Sequence, residues 1–189
     1  FGDIPFRSNL SSCLILVLAA AIFFLLLRAI NVPTVVAVPE ALTLPLATAL
    51  IQACTVAEVY SLNLLFVLSV LLLVVEASYR KLLFVSLVSG LAVTHHLTYV
   101  LVLPAVILVS CYWLIKQEIP VRKWSMLLVF FLLGCSSLIF LPVRESVTPL
   151  QVWGESSNLE GFVSLVTASE ESTGSFLSGL KDSVALKSR

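Results

Sequence analysis

The feature that most constrains this chain is a series of long apolar runs with almost no charge inside them. Such runs are typical of membrane-spanning helices, because a hydrocarbon core about 30 Å thick takes roughly 20 apolar residues. The run 82–115 would be about 50 Å long as one helix, so we expect it to bend back at the polar cluster Thr94-His95-His96-Leu97-Thr98. The pattern therefore predicts an all-α, polytopic transmembrane bundle of about six spans. They are 10–27, 32–53, 60–75, the two halves of 82–115, and 124–141.

Composition agrees with a chain that lies in lipid. Hydrophobic residues make up 59% of the 189 residues and charged residues only 12%, against about a quarter charged in a soluble domain. The net charge is zero, so nothing indicates a nucleic-acid partner. The four cysteines form no CxxC pair and have no histidine at metal spacing. We interpret them as small apolar side chains and expect no metal site.

The distribution of Lys and Arg predicts the orientation of the bundle. With residue 1 outside, the inner loops hold most of the basic residues and the outer loops hold only Arg7 and Arg144, so the inner face is cytoplasmic. The inner residues are Arg28, Arg80, Lys81, Lys116, Arg122 and Lys123. The same count of crossings places four sparse polar side chains on the non-cytoplasmic face, where they suggest one aqueous site. These are Glu58, His95, His96 and Arg144.

Three segments carry further expectations. Residues 1–8 are predicted to be an amphipathic loop. The second run contains Pro33, Pro39 and Pro45, which kink or break a helix. We expect a transmembrane domain over 1–143 and a polar extracytoplasmic segment over 144–189. In that segment, Ser157-Ser-Asn-Leu-Glu160 has the pattern of a capping box, which predicts the start of one short amphipathic helix, and a loop follows the helix.

Each polar candidate has a structural alternative. Glu58 at the mouth of a bundle can orient a sugar, bind a metal or act as a base, or it is a first-turn acid favoured by the helix dipole. His95 and His96 can be metal ligands or part of a plain interfacial turn, and no third ligand is near in sequence. Arg144 can hold a lipid-linked phosphate or mark the end of a span, and Trp153 fits an interfacial anchor.

Several stretches, taken in order, resemble a known family. They are Thr55-Val-Ala-Glu-Val-Tyr-Ser-Leu-Asn63, Gly90-Leu-Ala-Val-Thr-His-His-Leu-Thr98, and Phe140-Leu-Pro-Val-Arg144 with Trp153-Gly154 and Leu159-Glu-Gly-Phe162. The opening Phe1-Gly-Asp-Ile-Pro-Phe-Arg7 is similar to the family's entry into its second span. Together they resemble the membrane domain called domain of unknown function 2723, which includes the transmembrane protein 260 type of protein O-mannosyltransferase.

The resemblance implies a GT-C type glycosyltransferase. The implied donor is a polyprenyl-phosphate sugar such as dolichyl-phosphate mannose, the acceptors are Ser or Thr hydroxyls of secretory-pathway proteins, and no other cofactor is implied. The implied location is the endoplasmic reticulum membrane in a eukaryote, or the inner membrane in a bacterium. The substrate-binding residues would be Glu58, Tyr60, Asn63, His95, His96, Arg144 and Trp153.

Departures from the family pattern limit what we expect of these residues alone. The family's acidic first outer loop, which is expected to supply the general base, would precede residue 1. His95 stands where the family more often has Asn, and the Glu170-Glu171 stretch lacks the basic and tyrosine residues usual after the last helix. We therefore leave the catalytic residue unassigned, interpret the chain as a fragment and expect it to be inactive alone.

Two other classes of function remain open from the sequence. A transporter or channel would explain the intramembrane prolines and the polar cluster, since broken helices often line substrate paths. A non-catalytic membrane subunit would need only helix packing. Against a transporter, the charged residues lie at span ends and no inverted repeat is visible.

Overall fold

The computed structural model describes residues 4–46, 60–75 and 77–147, and within these ranges the chain is helical with no strand. The all-α prediction is confirmed for these residues. The chain divides into two compact units, Phe1–Cys135 and Ser136–Arg189. The helices of the first unit are α1 Ile4–Ala29, α2 Thr34–Thr43, α3 Tyr60–Val75, α4 Tyr79–His95, α5 Leu103–Lys116 and α6 Trp124–Cys135. In the second unit, a 3₁₀ turn Ser136–Ile139 precedes α7 Phe140–Val147.

Helix α1 begins earlier than the sequence suggested. It starts at Ile4, so the loop expected over residues 1–8 is wrong for residues 4–8. Pro5 explains the difference, because proline is tolerated in the first helical turn, where its missing N–H has no partner to lose. The other end closes at Asn31, whose φ is 66°. The backbone N–H of Val32 donates to the Leu27 carbonyl at 2.9 Å, which completes a Schellman-type C-cap.

The proline-rich second run forms a short helix. Pro33 precedes α2, and Pro39 lies inside it. The α-helix ends at Thr43 and continues as a 3₁₀ turn, Leu44–Leu46, that contains Pro45. The predicted disruption is therefore found at the third proline. The remainder of the predicted span lies outside the described residues.

The long apolar run 82–115 breaks where its polar cluster predicted. Helix α4 ends at His95, a 3₁₀ helix covers Leu97–Leu101, and α5 follows. The side-chain amide of Gln117 donates to the Ala77 carbonyl at 2.7 Å, and the Trp113 indole donates to the Val74 carbonyl at 3.0 Å. These bonds join the end of α5 to the end of α3 and the start of α4. The prediction that the run bends back is confirmed.

Helix packing in the first unit places α1 against α2 and α3, α3 against α4, and α4 against α6, while α5 contacts α3 and α4. The α4–α6 contact is made backbone to backbone through two glycines. A Cβ on Gly90 would overlap the Phe131 carbonyl and lie 3.0 Å from the Cys135 nitrogen. A Cβ on Gly134 would lie 2.8 Å from the Leu91 nitrogen. Small residues allow this close approach, as they do between helices in membranes.

Two helical stretches have the length and composition needed to cross a membrane, Phe6–Ala29 and Val121–Val143. Three further apolar helices are shorter, namely Thr34–Leu46, Tyr60–Val75 and Leu103–Lys116. The prediction of apolar, membrane-length helices thus holds for two stretches. The count of about six spans remains a prediction.

Candidate functional site

Four of the residues singled out in the sequence come together where α3 begins and α4 ends. Tyr60 and Asn63 lie one turn apart on α3 and so share a face of that helix. His95 is the last residue of α4, and His96 follows it. With Thr98 from the adjoining 3₁₀ helix, these residues form what we call the His96 cluster: Tyr60, Asn63, His95, His96 and Thr98.

The local structure is organised by His96, which ends one helix and caps the next. Its backbone is extended, with φ −148° and ψ 123°, and its N–H donates to the Ala92 carbonyl in the last turn of α4. Its ring Nδ1 accepts from the Thr98 backbone N–H at 3.2 Å. A side-chain acceptor at this position satisfies a donor that a helix start leaves without a partner. The break in the apolar run and the orientation of the imidazole therefore have the same cause.

The hydrogen bonds of the cluster have a defined direction. A backbone N–H can only donate, so Nδ1 of His96 is an acceptor and the neutral ring carries its proton on Nε2. The Thr98 hydroxyl, 2.7 Å from the same Nδ1, therefore donates to it as well. The Asn63 Nδ2 group donates to that hydroxyl at 3.4 Å, a long bond. The chain of donors runs from Asn63 through Thr98 to His96 and leaves Nε2–H as the donor of the His96 ring.

Aromatic rings flank the two histidines on different sides. The Tyr60 and His96 rings are tilted, with centroids 5.4 Å apart. The His95 ring meets Phe66 edge to face at 5.8 Å. Adjacent histidines thus contact different residues of α3, since His95 is the last helical residue and His96 has an extended backbone. Tyr60 is half exposed, so its ring forms an accessible apolar wall beside the polar groups.

One polar atom of the cluster lacks a partner. Asn63 Oδ1 is buried, and no hydrogen-bond donor reaches it among the residues that the structure describes. An unsatisfied buried carbonyl oxygen costs about 1–3 kcal/mol, and most buried polar atoms in proteins are paired. This oxygen is therefore a buried acceptor, which a ligand could reach only if neighbouring groups moved.

The floor beneath the cluster is rigid. Tyr99 is fully buried, and its hydroxyl lies 3.0 Å from that of Ser89, which is also buried. Tyr99 packs in a core with Val70, Val85, Ala92 and Val106. A buried aromatic ring with its hydroxyl satisfied fixes the 3₁₀ helix against α4. The His96 cluster consequently rests on a packed surface.

The other predicted site residues are not placed in this cluster. Glu58 and Trp153 lie outside the described residues. Arg144 belongs to α7 in the second unit, and its side chain is not among those described. The assignment of Glu58, Arg144 and Trp153 to the substrate-binding site remains a prediction.

Sequence reasoning named Thr98 only as part of a turn and did not name Phe66 at all. A threonine two residues after a histidine at a helix end is a local capping pattern that would have indicated Thr98. Phe66 offered no comparable signal, because it is one of many apolar residues on α3. Within the described ranges, no three His, Cys, Asp or Glu side chains gather in a way that would hold a metal ion.

The arrangement is suited to binding a hydroxyl-rich group. It offers one donor, His96 Nε2–H, the half-exposed ring of Tyr60, and one buried acceptor, Asn63 Oδ1, that has no donor among the described residues. Because neutral His96 presents a proton at Nε2, it can donate to a ligand oxygen there but cannot accept a proton at that atom. In this tautomer the cluster can donate a hydrogen bond from His96 Nε2, and that atom is not a base.

A scan against protein-family models finds no match for this chain, and searches of the curated proteins and of the solved structures find none either.

Proposed function

We propose that this chain is part of a multi-pass membrane glycosyltransferase that moves a sugar from a polyprenyl phosphate to Ser or Thr hydroxyls of secretory-pathway proteins. The observation that carries the proposal is the His96 cluster. Two stretches that resemble the O-mannosyltransferase family, 55–63 and 90–98, contribute Tyr60, Asn63, His95 and His96 to one place, although they are far apart in sequence. The free acceptor and donor there suit a sugar.

The membrane part of the proposal is supported by how little of the apolar helices is buried. Only 17% of the candidate span within Phe6–Ala29 and 6% of that within Val121–Val143 are buried inside the protein. A core helix of a soluble protein would be mostly covered. Large apolar side chains such as Leu108, Leu128 and Leu132 remain exposed. Lipid is the environment in which such surfaces carry no penalty.

In the proposed reaction, the acceptor hydroxyl oxygen forms a bond to the anomeric carbon of the sugar as the bond from that carbon to the phosphate oxygen breaks. The polyprenyl phosphate leaves, and the hydroxyl proton passes to a base. We assign Asn63 and His96 to hydrogen bonds with the sugar and Tyr60 to its apolar face. From the family resemblance alone, Arg144 would hold the phosphate and Glu58 would orient sugar or acceptor, and the base is assigned to none of these residues.

Donor binding tests the proposal. The 189-residue chain in lipid nanodiscs is expected to bind dolichyl-phosphate mannose, and Asn63→Leu is expected to weaken binding on the order of tenfold, the value of one hydrogen bond. Asn9→Leu on α1 is the matched control and should leave the affinity unchanged. Equal donor affinities of the native chain, Asn63→Leu and Asn9→Leu would remove the assignment of Asn63 to the sugar-binding site. Because the base is assigned outside these residues, we expect no mannose transfer by this chain alone.

A transporter is the second candidate, favoured by the interruption of α2, in which Pro39 lies inside the helix and the 3₁₀ turn follows at Leu44. Broken helices often line substrate paths in transporters. Uptake of a solute into sealed proteoliposomes, without donor-lipid binding, would favour this candidate over the transferase.

A further inference from the structure

The end of the first unit opposite the His96 cluster collects positive charge and aromatic rings. It is formed by the start of α4, the end of α5 and the connection to α6, which the bonds of Gln117 and Trp113 bring together. We call this region the basic end: Tyr79, Arg80, Lys81, Trp113, Lys116, Arg122, Lys123 and Trp124. Over residues 76–123 there are five basic residues and two carboxylates, Glu76 and Glu118, so the net charge is +3.

The aromatic rings hold the cations on a packed platform. The Lys116 ammonium lies 4.7 Å from the centre of the Trp113 ring, and that of Lys123 lies 5.7 Å from the Tyr79 ring. The Tyr79 hydroxyl donates to the Lys123 carbonyl at 3.0 Å, which fixes the loop before α6. Beneath them Leu82 and Leu114 are almost fully buried. These ammonium groups are placed over rings at the surface and are available to an anion.

An apolar groove of about 360 Å³ reaches this end from the middle of the unit. Its walls come from α4, α5 and α6 and include Ser86, Ser110, Trp124 and Phe131. Along α5 the lining runs from Leu103 to Leu114, which is about 16 Å of helix. Trp124, at the end of the lining, directly follows Lys123 in the chain. A long apolar channel that ends beside cations matches a molecule with an anionic head and a hydrocarbon tail.

We propose that the groove and the basic end form a binding site for one anionic phospholipid of the cytoplasmic leaflet. The phosphate head lies at Lys116, Arg122 and Lys123, and one acyl chain lies in the groove between α5 and α6. Charge complementarity selects the head, since each Lys or Arg near an anionic lipid surface strengthens attraction by about fivefold. The inference rests on the membrane insertion in the proposed function and is independent of sugar transfer.

The test uses the intrinsic fluorescence of the chain in vesicles with Trp153 replaced by Phe throughout, because the two remaining tryptophans, Trp113 and Trp124, both lie at the basic end. Brominated phosphatidylglycerol and brominated phosphatidylcholine are compared as quenchers at equal mole fraction. We expect phosphatidylglycerol to bind at least several-fold more tightly than phosphatidylcholine. Lys123→Gln should reduce that ratio by about fivefold. Arg28→Gln is the matched control, because it removes one charge that the proposed topology places on the same leaflet, at a helix that does not line the groove. This variant should change the ratio of the two affinities little.

Five outcomes would overturn the inference. If Arg28→Gln lost as much of the preference for phosphatidylglycerol as Lys123→Gln, the basic residues would attract anionic lipid in general and the basic end would hold no specific site. Unchanged affinity for phosphatidylglycerol in Ser86→Phe, which fills the groove, would show that no acyl chain lies in it. Displacement of brominated phosphatidylglycerol by equimolar undecaprenyl phosphate would show that the site binds the polyprenyl phosphate of the donor and not a phospholipid. Equal quenching by both lipids would overturn this inference alone, whereas quenching by neither would overturn membrane insertion and with it the proposed function.

Discussion

The two ends of the first unit use their hydrogen bonds differently. At the basic end, the side chains of Tyr79, Trp113, Gln117 and Trp124 each donate to a backbone carbonyl, at 3.0, 3.0, 2.7 and 3.1 Å. At the His96 cluster, the bonds from Asn63 through Thr98 to His96 join side chains, and Asn63 Oδ1 is left without a partner in the described part of the chain. Satisfied carbonyls stabilise the connections between helices, and a free buried acceptor stabilises only when a ligand arrives. The basic end therefore satisfies the hydrogen bonds that join its helices, whereas the His96 cluster leaves one buried oxygen without a donor among the described residues.

The largest expected effect comes from separating the helices that join the two ends. Gly90→Val places a side chain on the backbone of α6, which must then move away from α4. Overpacking of this kind costs about 3 kcal/mol. The free energy of unfolding in mixed micelles measures it. Ser86→Ala, one turn earlier on α4, is the control and should change that free energy by less than about 0.5 kcal/mol. Equal stability of Gly90→Val and the native chain would mean that the helices do not cross here.

An intermediate effect is expected at the basic end. Gln117→Leu keeps a side chain of similar size but removes the donor to the carbonyl of buried Ala77. Leaving that carbonyl without a partner should lower the free energy of unfolding by about 1–2 kcal/mol. A loss below about 0.3 kcal/mol would show that this bond does not stabilise the return of α5 to α4.

The smallest effect is expected from the same kind of replacement in the His96 cluster. Asn63→Leu removes an unsatisfied buried oxygen together with one long hydrogen bond, so the free energy of unfolding should stay within about 0.5 kcal/mol of the native value or rise slightly. The same variant should weaken donor binding on the order of tenfold. A destabilisation as large as that of Gln117→Leu would contradict the difference between the two ends.

Much of the helical framework followed from the apolar runs. The run 60–75 coincides with α3, and the polar cluster at 94–98 located the break between α4 and α5. These features are local, because a polar cluster or a span end depends on neighbours in sequence. Helix limits were less accurate: α4 begins at Tyr79, ahead of the run at 82, since Ser78 caps it by accepting from the Lys81 backbone N–H.

The contacts between helices did not follow from the pattern. Asn63 meets Thr98 only because α3 has a particular rotation about its axis, and an almost uniformly apolar helix has no polar face to reveal that rotation. The Gly90–Gly134 crossing was also missed, although Ser86-Leu-Val-Ser-Gly90 has the spacing of small residues that favours close packing of helices in lipid. Tyr60 and Asn63 were therefore assigned to the site from the family resemblance alone, whereas His95 and His96 also followed from the predicted topology.

The central claim is that the His96 cluster and the basic end lie on opposite sides of a bilayer. Cysteine labelling tests it most directly, with Leu97→Cys beside His96 and Arg122→Cys in the basic end, both at exposed positions. The native cysteines are first replaced, and a membrane-impermeant maleimide is applied to sealed vesicles of known orientation. The account predicts that position 97 is labelled from the extracytoplasmic side and position 122 from the cytoplasmic side. Labelling of both positions from one side would contradict it.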